Sequence, residues 1–480
     1  MKKISIEEVL NAIGGKLAIV GNTAVDIENR IISSVIMDSR IAEKDCLFAA
    51  IKGERVDGHK FIKNVFEAGA AAVICEFVPE DVPGVFIQVE NSVKALQDLA
   101  RWFRGTLKTK IVGITGSVGK TSTKEMMASV LSAKFKVQKT LGNYNNEIGL
   151  PLTVLSIDED TEITVLEMGI SDFGEMRLLS SIAKPDVCVI TNIGQSHLEN
   201  LGTRDGILKA KTEIFEYRNP EGPIFLNGDD DKLITVSDVA GTKPVFFGFG
   251  ENNFAHPENV ESLGLEGTKM TVVLGDERFD ASISMIGRHM VSNAMVASAV
   301  GRYFGMNFEE IKEGLKKATT ISGRSNLISF GKGFIIDDCY NAAPTSMKAS
   351  LDTLCLAKGI KVAILGDMFE LGKDEKEMHR DCGVYAASKK FDKIIAVGNL
   401  CRNLFEGAVC ELKMNAGEDE PTVQDNVNEF SDGVTDCFYF ATVEELLLKL
   451  PTLVSKDMNV CVKASNGMNF KTVVEALTKM

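Results

Sequence analysis

At 480 residues the chain is too long for one hydrophobic core and has room for about three domains. Its net charge of −14 excludes a general nucleic-acid-binding surface, so an anionic ligand needs a locally basic site. The 10 cysteines occur singly, without Cys-x-x-Cys spacing, and read as reduced, mostly buried thiols, which excludes a zinc or disulfide framework. In chain order, β-branched runs at Ile31–Met37, Ala71–Cys75 and Val85–Val89 predict strands, with a helical pattern over Lys60–Gly69. An amphipathic stretch, Ser92–Phe103, carries the lone tryptophan, Trp102, and Arg104–Lys110 reads as a linker.

The next run, Ile111 to Thr121, is the most informative. An apolar strand (Ile111–Ile114) breaks into a glycine-containing turn, and Lys120 and Thr121 open a helix, the context of a phosphate-binding loop. There backbone N–H groups and a helix N-terminus face the phosphates, the lysine neutralises their charge, and the threonine hydroxyl suits Mg²⁺. The spacing departs from the common pattern, because Ile114 stands where a glycine is usual. Gly142–Pro151, with Asn143, Asn145 and Asn146, reads as a shaped polar loop with no regular element.

Buried strands are predicted at Ile163–Glu167, Val187–Thr191 and Ile224–Leu226, alternating with helices, as in a parallel sheet covered on both faces. Glu167 ends its strand and points toward the crevice where such sheets bind ligands; beside a triphosphate it suits Mg²⁺, an N-cap or surface ion pair being the alternative. His197 shares that strand-end position, as a second metal ligand or a structural histidine. Lys211 reads as an ordinary surface lysine on a helix, and Asn227–Asp230 as a turn. Lys269–Met285 alternates with period two and predicts an antiparallel extension, followed by a helix over Met290–Phe304. The α/β rhythm restarts after Ser322–Arg324. Strands are predicted at Phe334–Asp337, Val362–Leu365, Lys393–Val397 and Asn459–Lys463, with helices at Thr345–Leu356, Lys376–Lys389 and Phe470–Thr478. Asp337-Asp338 at a strand end is either crevice-facing or a helix cap.

In their order and spacing these motifs resemble the Mur ligase family, the ATP-dependent amide-forming enzymes of peptidoglycan precursor synthesis. The resemblance spans nearly the whole chain. It implies an α/β protein of three domains: a uridine-nucleotide-binding amino domain (1–107), a central P-loop-type ATP-binding domain (108–322) and a Rossmann-like carboxyl domain (323–480). ATP and Mg²⁺ are the implied cofactors. Gly116, Ser117, Val118, Gly119, Lys120, Thr121, Ser122, Asn293, Arg324 and Asp338 would bind the nucleotide. Lys120, Glu167, His197 and Lys211 would be catalytic, with Thr121 and Glu167 about a first Mg²⁺, His197 about a second, and Lys211 carried as a carbamate. Ser39 and Arg40 of Asp38-Ser39-Arg40, with Asn143, Asn145, Asn146, Tyr340, Asn341 and Lys463, would contact substrate.

The motifs Asp337-Asp338-Cys339-Tyr340-Asn341-Ala342-Ala343-Pro344 and Leu365–Gly372 are most similar to the branch that joins D-alanyl-D-alanine to UDP-N-acetylmuramoyl-tripeptide. The Asp-Asn-Pro-Ala-Arg motif of many ligases that add a single third amino acid is absent. Departures are Ala464 and Asn466, where Gly and Arg are usual, Ala343 for Asn, and Lys44 for the Gly before Asp45. The change at 466 removes one candidate anchor for a substrate carboxylate or phosphate. No apolar run approaches the roughly 20 residues that span a bilayer, and Glu7 and Glu8 interrupt any signal-like start. A cytoplasmic monomer that neither inserts in membranes nor binds nucleic acid is expected.

Overall fold

The computed structural model describes residues 1–21, 30–53, 56–419, 421–424 and 427–480. Three α/β units follow one another, each built on its own large sheet.

The amino unit has five strands in the order Lys16–Val20, Gly84–Gln88, Ala72–Cys75, Cys46–Ala49, Ser34–Ile36, parallel except for the first pair. The run predicted as one strand, 31–37, is divided. Ile31–Ile32 pairs with Ile4–Ser5, and Ser34–Ile36 turns into the main sheet. Helix Ser92–Gly105 starts where the Asn91 side chain accepts from Lys94 N–H, and it buries Leu96, Leu99, Ala100 and Phe103.

Arg104 is no linker residue. The helix runs past it to Gly105 and the next strand starts at Lys110. Its guanidinium donates to the carbonyls of Ala183 (2.9 Å) and Leu107 (3.3 Å) and pairs with Asp186 at 3.4 Å. These contacts tie the amino unit to the central one.

The central sheet has nine strands. Its parallel part orders Val245–Phe247, Ile224–Asn227, Val187–Ile190, Lys110–Thr115, Ile163–Glu167 and Val137–Lys139, with Lys110–Thr115 in the middle. The register sets Glu167 beside Ile114, and Ile190 beside Thr115. All three strands therefore end at one edge, and the loops after Thr115, Glu167 and Ile190 share the crevice there. The expected antiparallel extension is a hairpin, Thr268–Leu274 with Glu277–Ile283, to which Ala255–Ser262 is added. That last strand carries Pro257, a register shift between Glu258 and Glu261, and polar residues, which hide its period. Helix Phe308–Lys317, absent from the periodicity reading, is announced by a capping box: Asn307 and Glu310 accept each other's backbone N–H.

The carboxyl sheet has seven strands, in the order Asn326–Phe330, Gly333–Asp337, Asn459–Lys463, Lys361–Gly366, Lys393–Val397, Asp436–Phe440, Glu429–Ser431, with antiparallel pairs only at the two edges. Asp337 lies beside Val462, so Asp338 and Lys463 emerge together at one edge. The 10 cysteines are free, and all but Cys355 are buried. Among the described residues no helix is long and apolar enough to cross a membrane.

Candidate active site

A cleft of about 710 Å³ lies where the central and carboxyl units face each other. Ile114 is buried inside its strand, so the phosphate-loop turn begins at Gly116. Gly116 has φ 148°, and a Cβ there would lie 1.9 Å from Thr191 Oγ1, so no larger residue fits. The loop is braced by the neighbouring strand end: Asn192 Oδ1 accepts from Val118 N–H (3.0 Å), and the Thr191 hydroxyl donates to Val118 O (2.6 Å). Lys120 opens helix Lys120–Leu131 and folds its ammonium back onto the carbonyls of Gly116 (2.8 Å) and Ser117 (3.3 Å). Burial holds its pKa below the ordinary lysine value, against the pull of Glu167 and with the push of Arg324. Ser117, Val118, Gly119, Lys120, Thr121 and Ser122 all line the cleft.

Residues 142–151 do not remain irregular. Gly149–Leu155 is a helix, with Pro151 in its first turn, where a missing N–H costs nothing. Asn146 Oδ1 accepts from Gly149 N–H (2.9 Å). Gly149 is needed because a Cβ would sit 2.4 Å from Tyr144 Cα. Asn143, Asn145 and Asn146 line the cleft, and Asn145 donates its amide to Glu167 Oε1 at 2.8 Å.

Glu167 is 2% exposed, and its Oε2 has no hydrogen-bond partner, with Lys124 Nζ 3.8 Å away. A buried carboxylate oxygen left open at a phosphate loop, near the Thr121 hydroxyl, is the donor set that a hard divalent cation takes. These residues fit Mg²⁺. His197 enters from the adjoining strand end, with left-handed backbone (φ 60°) and Nδ1 2.6 Å from Glu370 Oε2 of the carboxyl unit. Burial lowers its pKa, and Lys120 and Lys211 act in the same direction.

Lys211 is not a surface lysine. It is 1% exposed, with no hydrogen bond or ion pair among the described residues. Burial, and secondarily Lys120, drives its pKa well below the ordinary lysine value. It stands behind the cleft wall, within electrostatic reach of Lys120 and His197.

From the carboxyl unit, Asp337 accepts from Ser322 Oγ (3.1 Å) and Gly323 N–H (2.8 Å), and Asp338 accepts from Ser325 N–H (2.9 Å). These bonds staple the inter-unit segment to the strand end and present Arg324, whose guanidinium lies 4.0 Å over the Tyr340 ring. Asn293 sits opposite, its Oδ1 accepting from Thr123 Oγ1 (3.0 Å). Lys463 is 2% exposed and donates to Asp338 Oδ2 (2.6 Å), Asn341 O (3.1 Å) and Asp338 O (3.4 Å). Its donors are thus engaged within its own unit, beneath Asp338, Tyr340 and Asn341 at the cleft. Ser39 and Arg40 are not in the cleft wall; Arg40 is exposed and paired with Asp38 at 2.6 Å, within electrostatic reach of Tyr144.

Three contributors escaped the sequence reading: Glu370, Lys124 and Asn192. Glu370 lies inside the conspicuous Leu365–Gly372 motif and Asn192 follows a buried strand, so position carried a signal; Lys124, one helical turn past Lys120, carried none. In the Asn227–Asp230 turn Asp230 accepts from Ile193 N–H (2.7 Å), while Asn227 lines the cleft and donates its amide to Thr191 O (2.9 Å). Asp367, His379 and Cys401 also converge, but their donors are used. His379 accepts from Met368 N–H (2.9 Å) and donates to Glu375 O (2.6 Å), and Asp367 accepts from Cys401 N–H (2.8 Å).

Models of three Mur ligase domains match this chain: the catalytic domain over residues 31–104, the middle domain over 114–301 and the glutamate ligase domain over 323–466. The UDP-N-acetylmuramoyl-tripeptide–D-alanyl-D-alanine ligase of Bacillus subtilis is 37% identical over 482 aligned residues, covering 99% of both chains. The corresponding Escherichia coli ligase is 30% identical, covering 93% of this chain and 94% of its own. Among solved structures, MurF from Acinetobacter baumannii superposes with a TM-score of 0.87 at 30% identity, over 100% of both chains. MurF ligase from Thermotoga maritima, in complex with ADP, superposes at 0.77 and 29% identity, over 93% of this chain and 97% of its own. With a phosphate loop, a buried open carboxylate and an arginine from a third unit facing one cleft, and likeness from end to end, the chain belongs to the Mur ligase family.

Proposed function

We propose that this protein is an ATP-dependent ligase that joins D-alanyl-D-alanine to UDP-N-acetylmuramoyl-tripeptide, releasing ADP and phosphate, in peptidoglycan precursor synthesis. One observation carries the reading: a single cleft gathers the phosphate loop, Glu167 and His197 from the central unit, and Arg324, Asp338 and Tyr340 from the carboxyl unit. Full-length likeness to ligases of that name supports the choice of substrates.

In this reading the substrate's terminal carboxylate attacks the γ-phosphorus of ATP to give an acyl phosphate and ADP. The dipeptide amine then attacks the acyl carbon, and phosphate leaves. Two anions must first approach each other, and the loop N–H groups, Lys120 and Arg324 supply fixed positive charge where they meet. Thr121 and Glu167 would hold one Mg²⁺ and His197 a second, and when bound these ions would add charge compensation on the phosphates. Asn145 fixes the orientation of Glu167. Asn293 and Asp338 flank the nucleoside, and Lys463 positions Asp338 and Asn341.

Lys211, buried and with its pKa lowered, would in its amine form add CO₂ with loss of one proton and become an anionic carbamate, able to offer an oxygen to the metal. Asn143 and Asn146, with Ser39 and Arg40 of the amino unit, form the side facing the uridine nucleotide. Domain limits of 1–107, 108–322 and 323–480, a monomeric state and a cytoplasmic location complete the proposal.

The test is ATP-dependent phosphate release with UDP-N-acetylmuramoyl-tripeptide and D-alanyl-D-alanine, with the product mass measured. A product heavier by the dipeptide less one water is expected. Release driven instead by a single amino acid and the dipeptide precursor would overturn the choice of acceptor.

A further inference from the structure

Among the described residues, nine that are not glycine have left-handed backbone, and two of these meet across the cleft: His197 (φ 60°) and Glu370 (φ 64°). Each such residue costs about 1 kcal/mol and persists only where its surroundings over-determine it. The surroundings here are specific. Phe369 N–H donates to Ser465 Oγ (3.0 Å), and Met368 N–H donates to the fully buried His379 (2.9 Å). These bonds fix the turn that carries Glu370. Next to it, Gly372 seats against residues 198 and 199, where a Cβ would lie 3.6 Å from Glu199 N.

The result is a carboxylate, its side chain 58% exposed, with Oε2 2.6 Å from Nδ1 of a histidine whose side chain is only 22% exposed. The contact stands at ion-pair distance, and Nδ1 has no other polar partner among the described residues. An imidazole that binds a metal through one nitrogen almost always donates from the other, and a carboxylate is a frequent acceptor. The acceptor fixes which nitrogen carries the proton and how the ring is turned. With Nδ1 facing Glu370, Nε2 is the nitrogen left for a ligand.

We propose that Glu370 is a positioning residue for His197: by accepting from Nδ1 across the cleft, it aims Nε2 at the metal only when the carboxyl unit is docked. This rests on His197 being a metal ligand, as read above. It makes the docking of one unit a condition for completing a site built on another.

The test uses the full chain with AMP-PNP and UDP-N-acetylmuramoyl-tripeptide, and Mn²⁺ as a paramagnetic probe counted by electron paramagnetic resonance. The wild type is expected to hold two Mn²⁺, and His197→Ala to lose the second. Glu370→Ala should keep both sites but bind the second about tenfold more weakly, the scale of a lost outer contact to a metal ligand. Glu370→Gln, whose amide oxygen still accepts, should recover part of that affinity. In the His197→Ala background, Glu370→Ala should change nothing further. Unaltered Mn²⁺ affinity in Glu370→Ala, with the second ion lost in His197→Ala, overturns the inference alone. So does a raised KM for the dipeptide with metal binding unchanged, which would make Glu370 an acceptor contact. Two ions retained in His197→Ala would instead overturn the ligand reading on which the inference stands.

Discussion

Gly116→Ala separates the shape of the phosphate loop from its composition. The new Cβ would meet Thr191 Oγ1 at 1.9 Å, Thr191 Cβ at 3.1 Å and Asn192 N at 3.2 Å. Thr191 cannot simply turn away, because its hydroxyl holds Val118 O at 2.6 Å and the residue is 5% exposed. An L-residue forced to positive φ costs about 1–2 kcal/mol, and overpacking adds about 1–3 kcal/mol. The sum of about 2–5 kcal/mol corresponds to a loss of ATP affinity between about 30-fold and about 4,000-fold, at one decade per roughly 1.4 kcal/mol. Gly119→Ala is the control. That glycine also has positive φ (83°), but nothing lies within 4 Å of its Cβ, so only the backbone cost applies. Its expected loss is about 5- to 30-fold. Nucleotide affinity of both variants, by titration calorimetry with ATP, tests the ordering. Equal losses, or a larger loss at Gly119, would show that the brace by Thr191 does not shape the loop.

Three other outcomes follow from buried charge. Lys211→Ala should lose most ligase activity, and a short carboxylic acid added to the assay should restore part of it; an active Lys211→Ala enzyme removes the residue from the site. His379 has its pKa held below 6.5 by burial, so the unfolded state binds more protons as pH falls below that value. Stability attributable to His379 is therefore complete above about pH 6.5 and falls by up to about 1.4 kcal/mol per pH unit beneath it. Urea unfolding at pH 7.5 and 5.5 should show a smaller acid loss in His379→Gln than in the wild type, and equal losses would refute the assignment. Arg104→Ala leaves the Ala183 and Leu107 carbonyls without its donors, while Asp186 keeps Lys110 and Ile111 N–H, and should cost about 1–3 kcal/mol in urea unfolding, against no change if the contacts are merely superficial.

Strand ends were the legible part of this molecule. A β-branched run followed by a glycine, an acid or an asparagine marks both a buried parallel strand and the edge at which it stops. Gly116, Glu167, His197 and Asp338 were found that way, and the sheet register brings the first three together. Strands without that signature were missed: Ala255–Ser262 is polar and bulged, and Asn326–Phe330 is an edge strand with partial burial. Helix Phe308–Lys317 was legible in principle, since its capping box stands in the sequence, but hydrophobic spacing alone does not weigh caps.

Burial of a charge is the property that local sequence could not carry. Lys209 and Lys211 sit two apart on the same short helix, and only their angle to the neighbouring sheet makes one of them a buried amine. Lys124 and Lys463 are hidden in the same way, Lys124 between Glu125 (3.1 Å) and Glu167 (3.8 Å) and Lys463 against Asp338. Glu370 reverses the case: an exposed acid in a surface turn acquires its role only from a histidine 173 positions earlier, on another unit. A buried or facing charge is thus a relation between elements, and in this fold the decisive relations cross from unit to unit. That is the physical reason for the third unit. The central sheet alone supplies a phosphate loop and an open carboxylate, whereas Arg324, Asp338 and Glu370 come from the carboxyl side of the cleft. Nucleotide binding and chemistry therefore both depend on the position of the carboxyl unit, and a variant that weakens docking should lose turnover together with part of its affinity for ATP.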